Sequence, residues 1–300
     1  MTATAASAGA VPRASGSITR QNLRTFLSDR FGVLFTAIFL GFIVMAILAP
    51  WIAPHDPNAG SLLRRLQPPA WLPGGSWAYP LGCDSLGRDI LSRIIWGARV
   101  SIFIGVVVVL IAGAIGTFLG LVAGFLGGIA DTAISRMVDV LLAYPLLIFA
   151  IGLMGMMGPG LMNIIVALVC FEWVITCRLV RAQTLDVRNK EYVEAAQAIG
   201  LSPLRIMFSE ILPNIVSAVI VVATLRVGTI IIIEASLSFL GIGVQPPTPA
   251  WGTMIADGRV FMLAAWWVSS FPGIAIFLLV LSANLAGQSL RDAFDPRLTR

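Results

Sequence analysis

The feature that most limits how this chain can fold is the length of its uncharged stretches. Phe31 to Ala53, Val100 to Ala130 and Val140 to Phe171 contain no Asp, Glu, Lys or Arg. In lipid every backbone N–H and C=O must find its partner within the protein, so spanning segments are helices or closed barrels. About 20 apolar residues suffice for one helical crossing. The whole chain is 58% hydrophobic, 12% charged and has a mean hydropathy of +0.91, where soluble domains carry about 25% charge. The expectation is an all-α integral membrane protein.

The spans can be laid out from charge and turn residues. A tail, 1–30, carries Arg13, Arg20, Arg24 and Arg30. A first transmembrane helix is expected over 31–54, too long for the roughly 7–15 apolar residues of a cleaved signal, so it reads as an anchor. The Pro-, Gly- and Trp-rich segment 55–99 is expected outside the membrane. The remaining spans are expected over 100–130, 137–157, 161–180, 214–240 and 262–288. The break between the third and fourth falls at Met157-Gly158-Pro159-Gly160. A tail, 290–300, follows.

Six spans put both termini on one side. With the N-terminus inside, the inner segments hold Arg13, Arg20, Arg24, Arg30, Arg136, Arg178, Arg181, Arg188, Lys190, Arg205, Arg291, Arg297 and Arg300. The outer ones hold Arg64, Arg65, Arg88, Arg93, Arg99 and Arg259. Basic residues favour the cytoplasmic side, which places the termini inside. The formal charge of +5 is therefore a topology signal rather than a nucleic-acid surface, because the arginines flank spans instead of forming a patch. Trp51, Trp71, Trp77, Trp96, Trp251, Trp266 and Trp267 fall on the outer side, as an aromatic belt or a folded outer loop would place them.

Glu191 to Asn214 form the one extended polar island of the second half. Tyr192, Ala195, Ala196 and Ile199 lie at i, i+3, i+4 and i+7, which predicts a short helix with one apolar stripe. Gly200 suits the position after a helix end, Ser202 an N-cap and Pro203 the first position of a second helix. Isolated helices below about 12 residues are marginal, so the first must lie against something, such as a groove in a partner protein.

Other motifs are sparse. The chain contains no phosphate-binding G-x-x-x-x-G-K-[ST] loop, and its one histidine, His55, reads as a loop residue. No catalytic set, cofactor site or metal site is expected. Cys170 and Cys177 are too far apart on one helix to bridge, and Cys83 stands alone. Gly116, Gly120, Gly124 and Gly128 recur at every fourth position, fitting close helix packing within the subunit or across a subunit interface. Glu172, Arg226 and Glu234 fall at membrane depth, where a charge costs about 2.5–3.5 kcal/mol on insertion scales and so faces protein or water. Arg226 and Glu234 read either as a solute path or gate, or as buried contacts between helices. A stand-alone secondary transporter built on these two residues is the rival class, although no internal symmetry supports it.

The island resembles the EAA loop of permease subunits of bacterial ABC importers, here spanning 191–213. Glu194-Ala195-Ala196, Gly200 and Leu212-Pro213 carry the match, while Glu210 replaces the usual isoleucine. A narrower resemblance, to the second-permease branch of the dipeptide/oligopeptide/nickel permease family, covers most of the chain. It rests on Leu81-Gly82-Cys83-Asp84-Ser85-Leu86-Gly87-Arg88-Asp89, on Glu234-Ala235-Ser236-Leu237-Ser238-Phe239-Leu240-Gly241 and on Pro246-Pro247-Thr248-Pro249. Trp251-Gly252, Phe271-Pro272-Gly273 and Leu290-Arg291-Asp292 continue it. Tyr79 and Cys83 stand where the family usually has His and Thr.

The resemblance implies a type I importer permease (MetI-like) fold with a transmembrane domain over 100–289. It also implies a homologous second permease, two cytoplasmic ATPases that hydrolyse ATP, an extracytoplasmic solute-binding protein and residence in a bacterial inner membrane. Peptides are the implied solute, with nickel, glutathione and opines as alternatives. Tyr192, Val193, Glu194, Ala195, Ala196, Gly200, Leu201 and Pro213 are implied to couple the pore to the ATPases.

Overall fold

A computed structural model describes residues 29–294. The expectations placed on 1–28 and 295–300 lie outside the described residues. Nine helices are present among those described. They are α1 (Arg30–Ile52), α2 (Ile90–Leu126), α3 (Gly128–Leu142), α4 (Leu146–Met157) and α5 (Leu161–Val187), then α6 (Glu191–Ala198), α7 (Pro203–Phe239), α8 (Trp251–Gly258) and α9 (Trp267–Phe294). No β-strand occurs among the described residues.

Five helices (α1, α2, α5, α7 and α9) are each long and apolar enough to cross a bilayer. The third crossing, expected as one helix over 137–157, is instead two short helices, α3 and α4, bent by 90° at 143–145. Pro145 explains the bend, since a proline biases its predecessor away from helix and cannot donate a backbone bond. The direction of α2 and α5 shows that this bent pair joins opposite ends of the bundle. Gly116 lies against Trp173 and Thr176, Gly120 against Val180, and Gly124 against Thr184, so the two helices run parallel. The chain between them must return along the bundle, and only α3 and α4 are there to do it. Six crossings result.

The same contacts settle the glycine stripe. At Gly116, Gly120 and Gly124 an added Cβ would collide with α5, whereas Gly128 has nothing near it. Three of the four serve packing inside the subunit, and Gly128 starts α3 instead.

Several boundaries move: α5 runs on to Val187 rather than ending at 180, α9 covers Trp267–Phe294 rather than 262–288 so that the tail expected from 290 begins in helix, and two shifts are larger. α2 begins at Ile90, ten residues before the expected span, because Asp89 caps it by accepting the Ser92 amide at 3.0 Å. The outer segment expected over 55–99 therefore ends at Asp89. The fifth span begins at Pro203 rather than near 214, since the second helix of the island runs without interruption into α7.

The core lies in layers along the bundle. One layer joins Ile90, Ile94, Trp251, Trp267 and Leu279, a second joins Ile104, Ile164, Leu168 and Ile230, and a third joins Leu121, Val180, Val193, Ile206 and Ile215. Trp251 is fully buried, packs over Gly97 and donates Nε1–H to the Ile94 carbonyl at 3.0 Å. Trp251 and Trp267 are core residues, a correction to the aromatic-belt expectation. Trp51, Trp71 and Trp77 are exposed.

Candidate functional site

The polar island folds as a short helix, a tight turn and a restart. α6 covers Glu191–Ala198, with Lys190 at its N-cap position. It ends through two backbone bonds, Gly200 N–H to Gln197 O at 3.0 Å and Leu201 N–H to Ala196 O at 3.2 Å. These bonds form a Schellman motif, which needs a left-handed residue at Gly200, and its φ is +82°. Leu201 closes the turn by packing on the layer that holds Val193 and Ala196. Ser202 occupies the N-cap position of α7, but its side chain makes no capping bond, contrary to expectation.

The apolar stripe of α6 is divided. Val193 and Ala196 are buried against Val180, Val187, Ile206 and Ile211. Tyr192, Ala195 and Ile199, at i, i+3 and i+7, are exposed, Ile199 to 76%. Glu194 is exposed beside them. The expected single face thus consists of one buried residue, Ala196, and three uncovered ones. The face that holds α6 to its own subunit is Val193 with Ala196, and periodicity read from Tyr192 leaves Val193 out.

Directly after the restart, Ile206–Ile211 form a π-helical turn. Leu212 N–H reaches back five residues to Met207 O. The cause is Pro213, which has no amide to donate and whose ring needs space beside the carbonyl four residues earlier. Glu210 sits in this turn with its backbone carbonyl bonded by the Asn214 amide at 2.6 Å and its carboxylate accepting the Ser209 hydroxyl at 3.0 Å.

The ionisable residues at membrane depth are matched in two ways. Arg226 of α7 grips Glu172 of α5, with Nε to Oε2 at 2.9 Å. Glu234 is 0% exposed and accepts hydroxyl groups from Ser101 at 3.0 Å and Ser238 at 2.8 Å. Arg226 and Glu234 are not brought together. Each instead joins α7 to another helix, α5 for Arg226 and α2 for Glu234.

A network within segment 55–89 and the start of α2 was missed from sequence. Asp84 accepts the Leu86 and Arg88 amides at 2.8 and 3.0 Å and the Arg88 guanidinium at 2.7 Å, and it lies 3.6 Å from the Arg93 guanidinium. Arg93 in turn donates to the Pro57 carbonyl at 3.2 Å. His55 is no idle loop residue. Its amide donates to Ser92 Oγ at 2.9 Å, its Nδ1 lies 3.3 Å from Asp89, and its ring stacks on Tyr79. Cys83 is buried here, and burial pushes its thiol up to about 12. The signal available in the sequence was the Asp-x-x-Ser spacing of Asp89 and Ser92, an N-cap pattern.

Comparison with known proteins places this geometry. Residues 116–300 match the family described as binding-protein-dependent transport system inner membrane component, and residues 17–69 match the N-terminal transmembrane domain of oligopeptide transport permease C. The chain is 46% identical to a di/tripeptide transport system permease protein of Pseudomonas aeruginosa, over 89% of this chain and 88% of the relative. It is 45% identical to a dipeptide transport system permease protein of Haemophilus influenzae, over 91% and 93%. It is 43% identical to a glutathione transport system permease protein of Pectobacterium atrosepticum, over 93% and 91%. Family model, relatives and the six-crossing helical fold agree, and the chain belongs to the binding-protein-dependent inner membrane permeases, as the permease subunit of an ABC importer.

Proposed function

We propose that this chain forms half of a translocation pore for di- and oligopeptides and that α6 is its coupling helix to cytoplasmic ATPases. The observation that carries the coupling role is the uncovered stripe of Tyr192, Ala195 and Ile199 on an eight-residue helix. Such a helix is too short to persist without support, and its own subunit supports only Val193 and Ala196. A groove on an ATPase would cover the rest, with the small Ala195 permitting close approach and Glu194 meeting a donor or cation. Gly200, Leu201 and Pro213 hold the turn and the restart, so that α6 displaces with α7. A homologous second permease completes the pore, two ATPases drive it, and an extracytoplasmic binding protein delivers solute. The peptide assignment rests on the dipeptide and di/tripeptide relatives.

Under this reading the chain lies in a bacterial inner membrane with both termini and α6 in the cytoplasm. Segment 55–89 faces outward, and Arg226 and Glu234 sit where a gate between α7 and its neighbours would be. The test is reconstitution of the assembled importer with its binding protein. Glu194→Lys combined with Ala195→Asp is expected to abolish peptide-stimulated ATP hydrolysis while membrane insertion and subunit yield stay unchanged. Full uptake by this chain alone in liposomes without an ATPase would overturn the reading.

A further inference from the structure

A cavity of about 350 Å³ opens between α3 and α5, on the side of the bundle where α5 leads towards α6. Its floor is apolar, formed by Ile134 and Val138, and its polar lining comes from Ser135, Asp139, Arg178 and Arg181. Two of these four are already committed. Arg181 donates Nη2 to Asp131 at 2.7 Å, and the Ser135 hydroxyl donates to the same carboxylate at 3.1 Å. Arg178 and Asp139 remain. Neither has an ion-pair partner within 4.0 Å among the described residues, and both are exposed.

A guanidinium and a carboxylate on one small hollow, unpaired with each other, select for ligands by charge. A simple anion would gain Arg178 but meet Asp139, and a simple cation would gain Asp139 but meet Arg178 and Arg181. A compact molecule carrying both signs would satisfy both, through charge-assisted hydrogen bonds that are about twice as strong as neutral ones. We infer that this cavity binds a small zwitterion, with its anionic group on Arg178 and its ammonium group on Asp139. Two sources present that chemistry at one end of a membrane bundle: the phosphoethanolamine headgroup of a lipid and a free dipeptide. Either would bridge α3 to α5 beside the Asp131–Arg181 link and so stiffen the bend of the third crossing where α5 continues towards α6. The inference is independent of the importer reading, since it concerns binding to this chain itself.

Native mass spectrometry of the full chain in detergent provides the test. The probes are phosphatidylethanolamine, phosphatidylglycerol and dialanine, added separately at matched concentrations. Wild type is expected to retain phosphatidylethanolamine, dialanine or both, and phosphatidylglycerol roughly tenfold less. Arg178→Gln and Asp139→Asn are each expected to weaken the retained zwitterion roughly tenfold, the usual scale for one hydrogen bond to a charged group. Loss confined to the lipid assigns the site to the headgroup, and loss confined to the dipeptide assigns it to solute. Thermal melting of both variants within a few degrees of wild type ensures that any loss reflects the site. Retention unchanged in either variant, phosphatidylglycerol held as firmly as phosphatidylethanolamine, or no zwitterion retained by wild type would overturn it.

Discussion

Two polar segments interrupt the apolar chain, and they are built in opposite ways. Segment 55–89 is tied to itself and to α2 by buried ions: Asp84 meets Arg88 and Arg93, Asp89 caps α2, and Arg93 reaches Pro57. Each of these charged groups has a partner within the subunit, although Arg64 Nε and Gln67 Oε1 are buried without a hydrogen-bond partner. The 191–213 loop has the reverse character, with Val193 and Ala196 anchored inside and Tyr192, Ala195 and Ile199 left open. One segment is held largely by its own chain, and the other leaves an apolar stripe that the proposed ATPase groove would cover. The difference marks α6 as the place where the proposed coupling is to be tested, and it does so without reference to any motif.

The sharpest way to break this contrast is Asp84→Ala. Removing the carboxylate leaves two buried guanidinium groups with reduced compensation, and breaking a buried pair costs about 3–5 kcal/mol. Denaturation of the purified chain in detergent measures it, and a loss below about 1 kcal/mol would mean that segment 55–89 is not held by its ions. Gly200→Ala comes next. Nothing lies within 4 Å of an added Cβ there, so the cost is that of a left-handed backbone alone, about 1–2 kcal/mol. The same denaturation assay reads it.

Ala195→Asp is expected to change stability by less than about 0.5 kcal/mol, as exposed substitutions do, while abolishing peptide-stimulated ATP hydrolysis in the assembled complex. Loss of stability comparable to that of Asp84→Ala would place Ala195 in the core instead. The smallest perturbation is chemical labelling. Cys83 is buried with its thiol raised to about 12, and the thiolate is the reacting form. It should therefore resist maleimide at pH 7, with no appreciable gain at pH 9, until the chain is unfolded. An introduced Ala195→Cys should label readily in the isolated chain and become protected on assembly with the ATPases.

Much of the frame was legible from the sequence because lipid leaves few options. Long uncharged runs gave the helices, and Gly200 gave the turn, since a left-handed residue followed by Leu201 has few alternatives. Three things were not legible. The bend in the third crossing was hidden by continuous apolarity from Val140 to Phe171, where only Pro145 marked it. The partner of Arg226 was hidden because pairing with Glu172 depends on how α5 and α7 align, which no local pattern encodes. The extent of α2 was hidden because Arg93 and Arg99 looked like loop residues, whereas Asp84 draws Arg93 into the protein. On α6, periodicity found the right helix but assigned the stripe to one face when it belongs to two.

The parallel packing of α2 and α5 has a mechanical meaning. With Gly116, Gly120 and Gly124 bringing the backbones together over three successive turns, the pair acts as one beam. Its α5 half is 27 residues long, about 40 Å at 1.5 Å per residue. Under the coupling role proposed above, a push delivered at the α6 end would not be lost by sliding between these two helices. It would arrive at the far side of the membrane as a tilt of the whole strut, and the compliance would reside where the beam meets α7 and the bent α3–α4 elbow.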